Sequence, residues 1–123
     1  AKRDWGHAKD YVVAMWKMLQ QKKPKDYVIA TGKQYSVKFY VNLICDILKI
    51  KIVWRGKGIN EKAYSNGKII VSIDKRYFRP TEVGSLLGDS RRARKELNWK
   101  PQYNIRSLAY DMIDHELKKI NDK

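Results

Sequence analysis

Three short stretches of this 123-residue chain have the character of β-strands: residues 27–30 (Tyr-Val-Ile-Ala), 50–54 (Ile-Lys-Ile-Val-Trp) and 68–73 (Lys-Ile-Ile-Val-Ser-Ile). Helical segments separate them, so together they make a poor sheet alone, and their edges expect a partner sheet. The rest of the periodic sequence is helical. In residues 8–21 the apolar side chains Ala8, Tyr11, Val12, Met15, Trp16 and Leu19 recur at helical spacing, which predicts one buried stripe, and Pro24 prevents continuation. Ser36 is a predicted N-cap for a second helix with Val37, Tyr40, Val41, Ile44 and Leu48 on one face. Its third position is Phe39 rather than an acid, so no capping box forms. Residues 60–67 show no period and read as irregular. A short basic helix is predicted over residues 90–98. A last one over 105–120 is expected to bury Ile105, Leu108, Met112, Ile113, Leu117 and Ile120.

The fold class is therefore α+β, with three to four helices and a few short strands in one unit, the size of a single domain. The N-terminal Ala1-Lys2-Arg3-Asp4-Trp5 is no signal peptide, and no apolar run approaches the ~20 residues of a membrane span, which makes the cytoplasm the expected location. The single cysteine, Cys45, lies in an apolar run and reads as a buried inert thiol. His7 and His115 have no partner at metal-ligand spacing, so no metal is expected.

Twenty-seven Lys and Arg against thirteen Asp and Glu leave a net charge of +14, which would draw a polyanion at low salt. The cations are scattered, however, and the local runs are short, the densest being Arg91-Arg92-Ala93-Arg94-Lys95. A solvated lysine-rich surface is the plainer reading, and a basic nucleic-acid-binding module is the alternative. That module would need clustered lysines interleaved with exposed stacking aromatics.

Arg79 and Glu82 flank Pro80, which fixes its own φ and biases Arg79 toward an extended backbone. A stiff segment presenting one guanidinium and one carboxylate can hold a nucleotide, Arg on phosphate oxygens and Glu on ribose hydroxyls. On spacing alone an Arg–Glu surface pair near a turn is the plainer reading.

Four stretches in register narrow the choice: residues 3–12 (Arg-Asp-Trp-Gly-His-Ala-Lys-Asp-Tyr-Val), 27–32 (Tyr-Val-Ile-Ala-Thr-Gly), 76–83 (Arg-Tyr-Phe-Arg-Pro-Thr-Glu-Val), and Gly88-Asp89 followed by Ala93, Leu97, Trp99 and Pro101. Together, over essentially the whole chain, they resemble the GDP-mannose 4,6-dehydratase family of extended short-chain dehydrogenase/reductases. The resemblance implies that residues 1–123 are the C-terminal substrate-binding lobe of an α/β Rossmann-type enzyme whose N-terminal Rossmann domain is absent from this chain. The abrupt start beside a structured motif, without Met, suits such a piece. It also implies that Arg3 and Arg79 contact the GDP diphosphate and Glu82 the ribose hydroxyls, with Asp4, Trp5 and His7 structural, and Gly88, Asp89 and Trp99 in packing and capping roles. The reaction implied is a lyase reaction: NADP-dependent conversion of GDP-mannose to GDP-4-keto-6-deoxymannose, the precursor of GDP-fucose, by an enzyme expected to be a homo-oligomer. Another nucleotide-sugar dehydratase or epimerase of the same superfamily is the nearer alternative.

The sequence has no Gly-x-x-Gly-x-x-Gly loop after a strand, and its one Tyr-x-x-x-Lys pair, Tyr64 and Lys68, lies outside any predicted helix. Cofactor and catalytic residues are thus expected in the N-terminal half, and this chain alone is expected to be inactive.

Overall fold

The computed structural model describes residues 2–77 and 86–121. Four helices, α1 (Ala8–Leu19), α2 (Val37–Ile47), α3 (Arg91–Glu96) and α4 (Ile105–Asn121), accompany five short strands. β1 (Lys2–Asp4) pairs antiparallel with β2 (Gln34–Ser36), and β3 (Val53–Arg55), β4 (Lys62–Ser65) and β5 (Lys68–Ser72) form an antiparallel sheet in that order. The α+β class holds.

Two of the expected strand boundaries shift. Residues 27–30 form no ladder among the described residues. They run extended past the first core, into which Tyr27 and Ile29 pack, while the pairing is made by β2 instead. Strand propensity reports fit to a pleated surface, and among the described residues no strand pairs with residues 27–30 to provide one. Conversely, residues 60–67, read as irregular, contain the central strand β4. The overlooked signal is Asn66-Gly67: both residues have positive φ, 51° and 76°, the geometry of a tight primed turn, and they close the β4–β5 hairpin. Tyr64 on β4 pairs with Ile69, and Lys68 on β5 with Ser65, so the Tyr-x-x-x-Lys pair lies on a hairpin and not along a helix.

Two small cores hold the chain. One gathers Ala14, Ala93, Leu97 and Trp99, flanked by Met18, Tyr27 and Ile29; the other gathers Tyr40, Leu43, Ile105 and Ala109 where α2 meets α4. Trp99 is 2% exposed, and its indole N–H donates to the Asp10 carbonyl (2.9 Å). Asp10 is itself buried at 4%, its carboxylate accepting from the backbone N–H of Gln102 (2.9 Å) and of Tyr103 (3.1 Å). One side chain of the first helical turn thereby organises the loop that leads into α4.

The buried stripe expected on α1 is on the wrong side. The helix buries Asp10 and Ala14, whereas Val12, Met15, Trp16 and Leu19 are 60–81% exposed. Periodicity detects an apolar face but not what it faces, and here the small Ala14 is what lets α3 and Trp99 approach. The same correction applies to α4. Ile105 and Leu108 are buried and Ile113 is half-buried, but Met112, Leu117 and Ile120 are exposed. On α2, Tyr40 and Leu43 are buried while Val37 and Leu48 are exposed. Cys45 is a buried free thiol, and burial, with Asp46 nearby, pushes its pKa up, so the unreactive thiol is favoured.

The caps follow ordinary backbone chemistry. Ser36 Oγ accepts from the Phe39 N–H (3.0 Å) as expected, with no acid in the first turn of α2. At the other end Lys49 adopts φ 59°, with Lys49 N–H bonded to the Asp46 carbonyl and Ile50 N–H to the Cys45 carbonyl. This is a Schellman ending with a lysine where glycine costs least. Lys49→Gly is expected to raise stability by about 0.5–1 kcal/mol, read as a higher urea midpoint at unchanged slope.

Candidate functional site

The motif at the start of the chain is a hydrogen-bonded corner. Asp4, at the end of β1, accepts from the backbone N–H of Thr31 (2.9 Å), the Thr31 hydroxyl (2.7 Å) and the Gly32 N–H (2.9 Å). Trp5 donates its indole N–H to the Tyr35 carbonyl (2.9 Å) and stacks on Tyr40 at 4.5 Å between ring centroids. His7 is the N-cap of α1. Its Nδ1 accepts from the Lys9 N–H (3.0 Å), which leaves Nε2 to carry the proton and donate to Asp111 Oδ2 (2.7 Å) on α4. That bond lowers the Asp111 pKa, so the stabilisation from Asp111 is present at neutral pH and is lost as pH falls through the lowered folded value. The structural reading of Asp4, Trp5 and His7 agrees with these bonds.

Gly6 leaves room for Tyr11, which lies against its backbone: a Cβ there would meet the Tyr11 ring and hydroxyl, which would have to shift. Tyr11 in turn lines an open hollow of about 380 Å³ with Arg3, Asp4, Ala30, Leu86 and Gly88. Burial, then the charges of Asp4 and Asp10, push the Tyr11 pKa up, so at neutral pH it keeps its proton and can donate to an acceptor in the hollow. Its position in the helical stripe disguised it in the sequence as a core residue. Gly88 closes the far wall, where a Cβ would come 2.3 Å from that of Ala30, and Asp89 accepts from the Arg91 N–H (3.1 Å) just ahead of α3. The packing and capping roles expected of Gly88, Asp89 and Trp99 match their surroundings.

Of the three residues expected to bind substrate, Arg3 is on β1 opposite Tyr35, half-buried, its Nη1 donating to the Lys2 carbonyl (2.8 Å) as it lines this hollow. Arg79 and Glu82 lie outside the described residues. The described chain resumes at Leu86, whose N–H bonds the Lys2 carbonyl (3.0 Å) next to Arg3. Among the described residues no group of His, Cys, Asp and Glu could hold a metal, and no helix is long and apolar enough to cross a membrane.

Comparison with known proteins agrees with the motif reading. The chain is 49% identical over 125 residues to the GDP-mannose 4,6 dehydratase of Drosophila melanogaster, an alignment covering 98% of this chain and 32% of the relative. It is 48% identical over 125 residues to that of Homo sapiens (98% and 34%) and 44% identical over 131 residues to that of Vibrio cholerae serotype O1 (97% and 35%). The chain thus spans about a third of the length of these curated relatives. The profile of the family described as GDP-mannose 4,6 dehydratase matches residues 1–112, and the chain belongs to that family.

Proposed function

We propose that this chain is the nucleotide-sugar-binding part of a GDP-mannose 4,6-dehydratase, a lyase that makes GDP-4-keto-6-deoxymannose on the route to GDP-fucose. The observation that carries the reading is the near end-to-end match to relatives of that name, with Arg3 lining an open hollow beside a proton-bearing Tyr11. Arg3 and Arg79 bind the GDP diphosphate, and Glu82 accepts from the ribose hydroxyls. Glu82 stands four residues before Leu86, the residue bonded to β1 beside Arg3.

NADP does not fit the residues of this chain. Dinucleotide cradles form where a parallel strand turns through glycines into a helix, and the pairings among the described residues are antiparallel. In this reading the cofactor, the hydride chemistry and the base belong to the remainder of the protein, a nucleotide-binding domain. The exposed face of α1 supports such a neighbour: Val12, Met15, Trp16 and Leu19 are 60–81% exposed, and covering apolar surface gains roughly 25 cal/mol per Å².

The test is binding and turnover by the 123-residue chain. GDP-mannose is expected to bind more tightly than UDP-glucose or dTDP-glucose, without being dehydrated. Arg79→Ala and Glu82→Ala are each expected to weaken it about 10- to 100-fold without altering the thermal melt. Turnover by this chain, or binding indifferent to both substitutions, would sink the reading.

A further inference from the structure

The basic run on α3 has no part in the site above, and half of its charge is already answered. Arg91 pairs with Asp89 (2.7 Å) and Arg92 with Glu96 (2.8 Å). Arg94 differs: its guanidinium donates to Ser90 Oγ (3.1 Å) and the Thr31 carbonyl (3.0 Å), both neutral, so neither bond cancels its charge. Two adjoining hollows open on either side of it, and both are lined by Arg94 and Gln102.

The first, of about 280 Å³, is walled by Trp5, Tyr35 and Tyr103 with Lys33. Each ring is half-buried and stacks on another ring, Trp5 on Tyr40, Tyr35 on Phe39 and Tyr103 on His7. The second, of about 520 Å³, adds Lys17 and Lys100, with Lys17 Nζ again spent on a neutral acceptor, the Asn98 carbonyl (2.7 Å). Among the described residues no carboxylate lines either hollow. The cleft therefore has an aromatic end and a cationic end, joined at one guanidinium.

We propose that this cleft is a binding site for a small phosphorylated compound carrying a flat ring. The ring lies against the Trp5, Tyr35 and Tyr103 walls and the phosphate is held by Arg94, with Lys17, Lys33 and Lys100 neutralising it. The aromatic end has room for one ring system, not for the run of successive bases that a single-stranded nucleic acid would lay down. None of the residues lining the hollow at Arg3 lines this cleft, so the proposal is independent of the GDP-mannose reading.

The experiment is amide and indole NMR of the 123-residue chain titrated with adenosine 5′-monophosphate, phenyl phosphate, inorganic phosphate and adenosine. Saturable shifts are expected at the Lys33, Tyr35 and Gln102 amides and the Trp5 indole N–H. Inorganic phosphate and adenosine are each expected to bind about tenfold or more weakly than the monophosphate. Tighter binding of the nucleotide than of phenyl phosphate identifies a nucleotide site, and the reverse a site for simpler aromatic phosphates; both support the cleft. Arg94→Ala and the exposed double change Lys33→Glu with Lys100→Glu, which removes no bond within the fold, should each weaken binding at least about tenfold. Three results would overturn the proposal: no shift at these groups up to about 5 mM ligand, undiminished binding in both variants, or displacement of the monophosphate by an oligouridylate with a steep salt dependence.

Discussion

Trp99→Ala is expected to bring the chain to the edge of unfolding. The ring is 2% exposed in the core of Ala14, Ala93 and Leu97, and α3 is too short to persist without it. Truncating such a residue costs about 3–5 kcal/mol, against the 5–15 kcal/mol that holds a domain of this size together. Losing the indole N–H also removes the hydrogen bond it donates to the Asp10 carbonyl (2.9 Å). Urea unfolding followed by circular dichroism reads the loss. Trp99→Phe should recover most of it, falling short by the one hydrogen bond and the smaller ring. A midpoint for Trp99→Ala close to that of the parent would mean that the first core is not where the stability resides.

Asp10→Ala has the next largest expected effect, and for a different reason. No large apolar group is removed; instead the backbone N–H groups of Gln102 and Tyr103 lose their acceptor in a buried setting. Leaving buried donors unmet costs about 1–3 kcal/mol each, so a total of about 3 kcal/mol is expected. Asp10→Asn keeps one acceptor oxygen but turns an amide donor toward the second N–H, so an intermediate loss is expected. The loop of residues 99–104 should show the change first, as faster amide exchange at Gln102 and Tyr103 than at the second core. Equal stability of the Asn and Ala variants would show that the hydrogen bond Asn retains contributes nothing to stability.

What was legible in the sequence was local. Helix positions followed from spacing, because an amphipathic face repeats whatever it packs against, and the Ser36 cap followed from a hydroxyl placed ahead of an apolar run. The family followed from four motifs in register, and the profile match over residues 1–112 agrees with them. Even the missed strand β4 was announced by Asn66-Gly67, a turn whose two positive φ values those residues favour.

Which face is inside, and which side chains share a site, was decided only by the tertiary structure. Val12 and Trp16 are as apolar as any core residue, yet they face outward, while an aspartate and an alanine on the opposite side of the same helix are buried. Arg3 and Tyr11 meet in one hollow with residues 86–88, and Arg94 meets Trp5, Tyr35 and Tyr103, across separations that no local period spans. Burial depends on what a face meets, and hydrogen bonds such as those from Gln102 and Tyr103 to Asp10 join residues about ninety positions apart. Local sequence fixes the shape of each element, but only the packing of all of them together determines what each one touches.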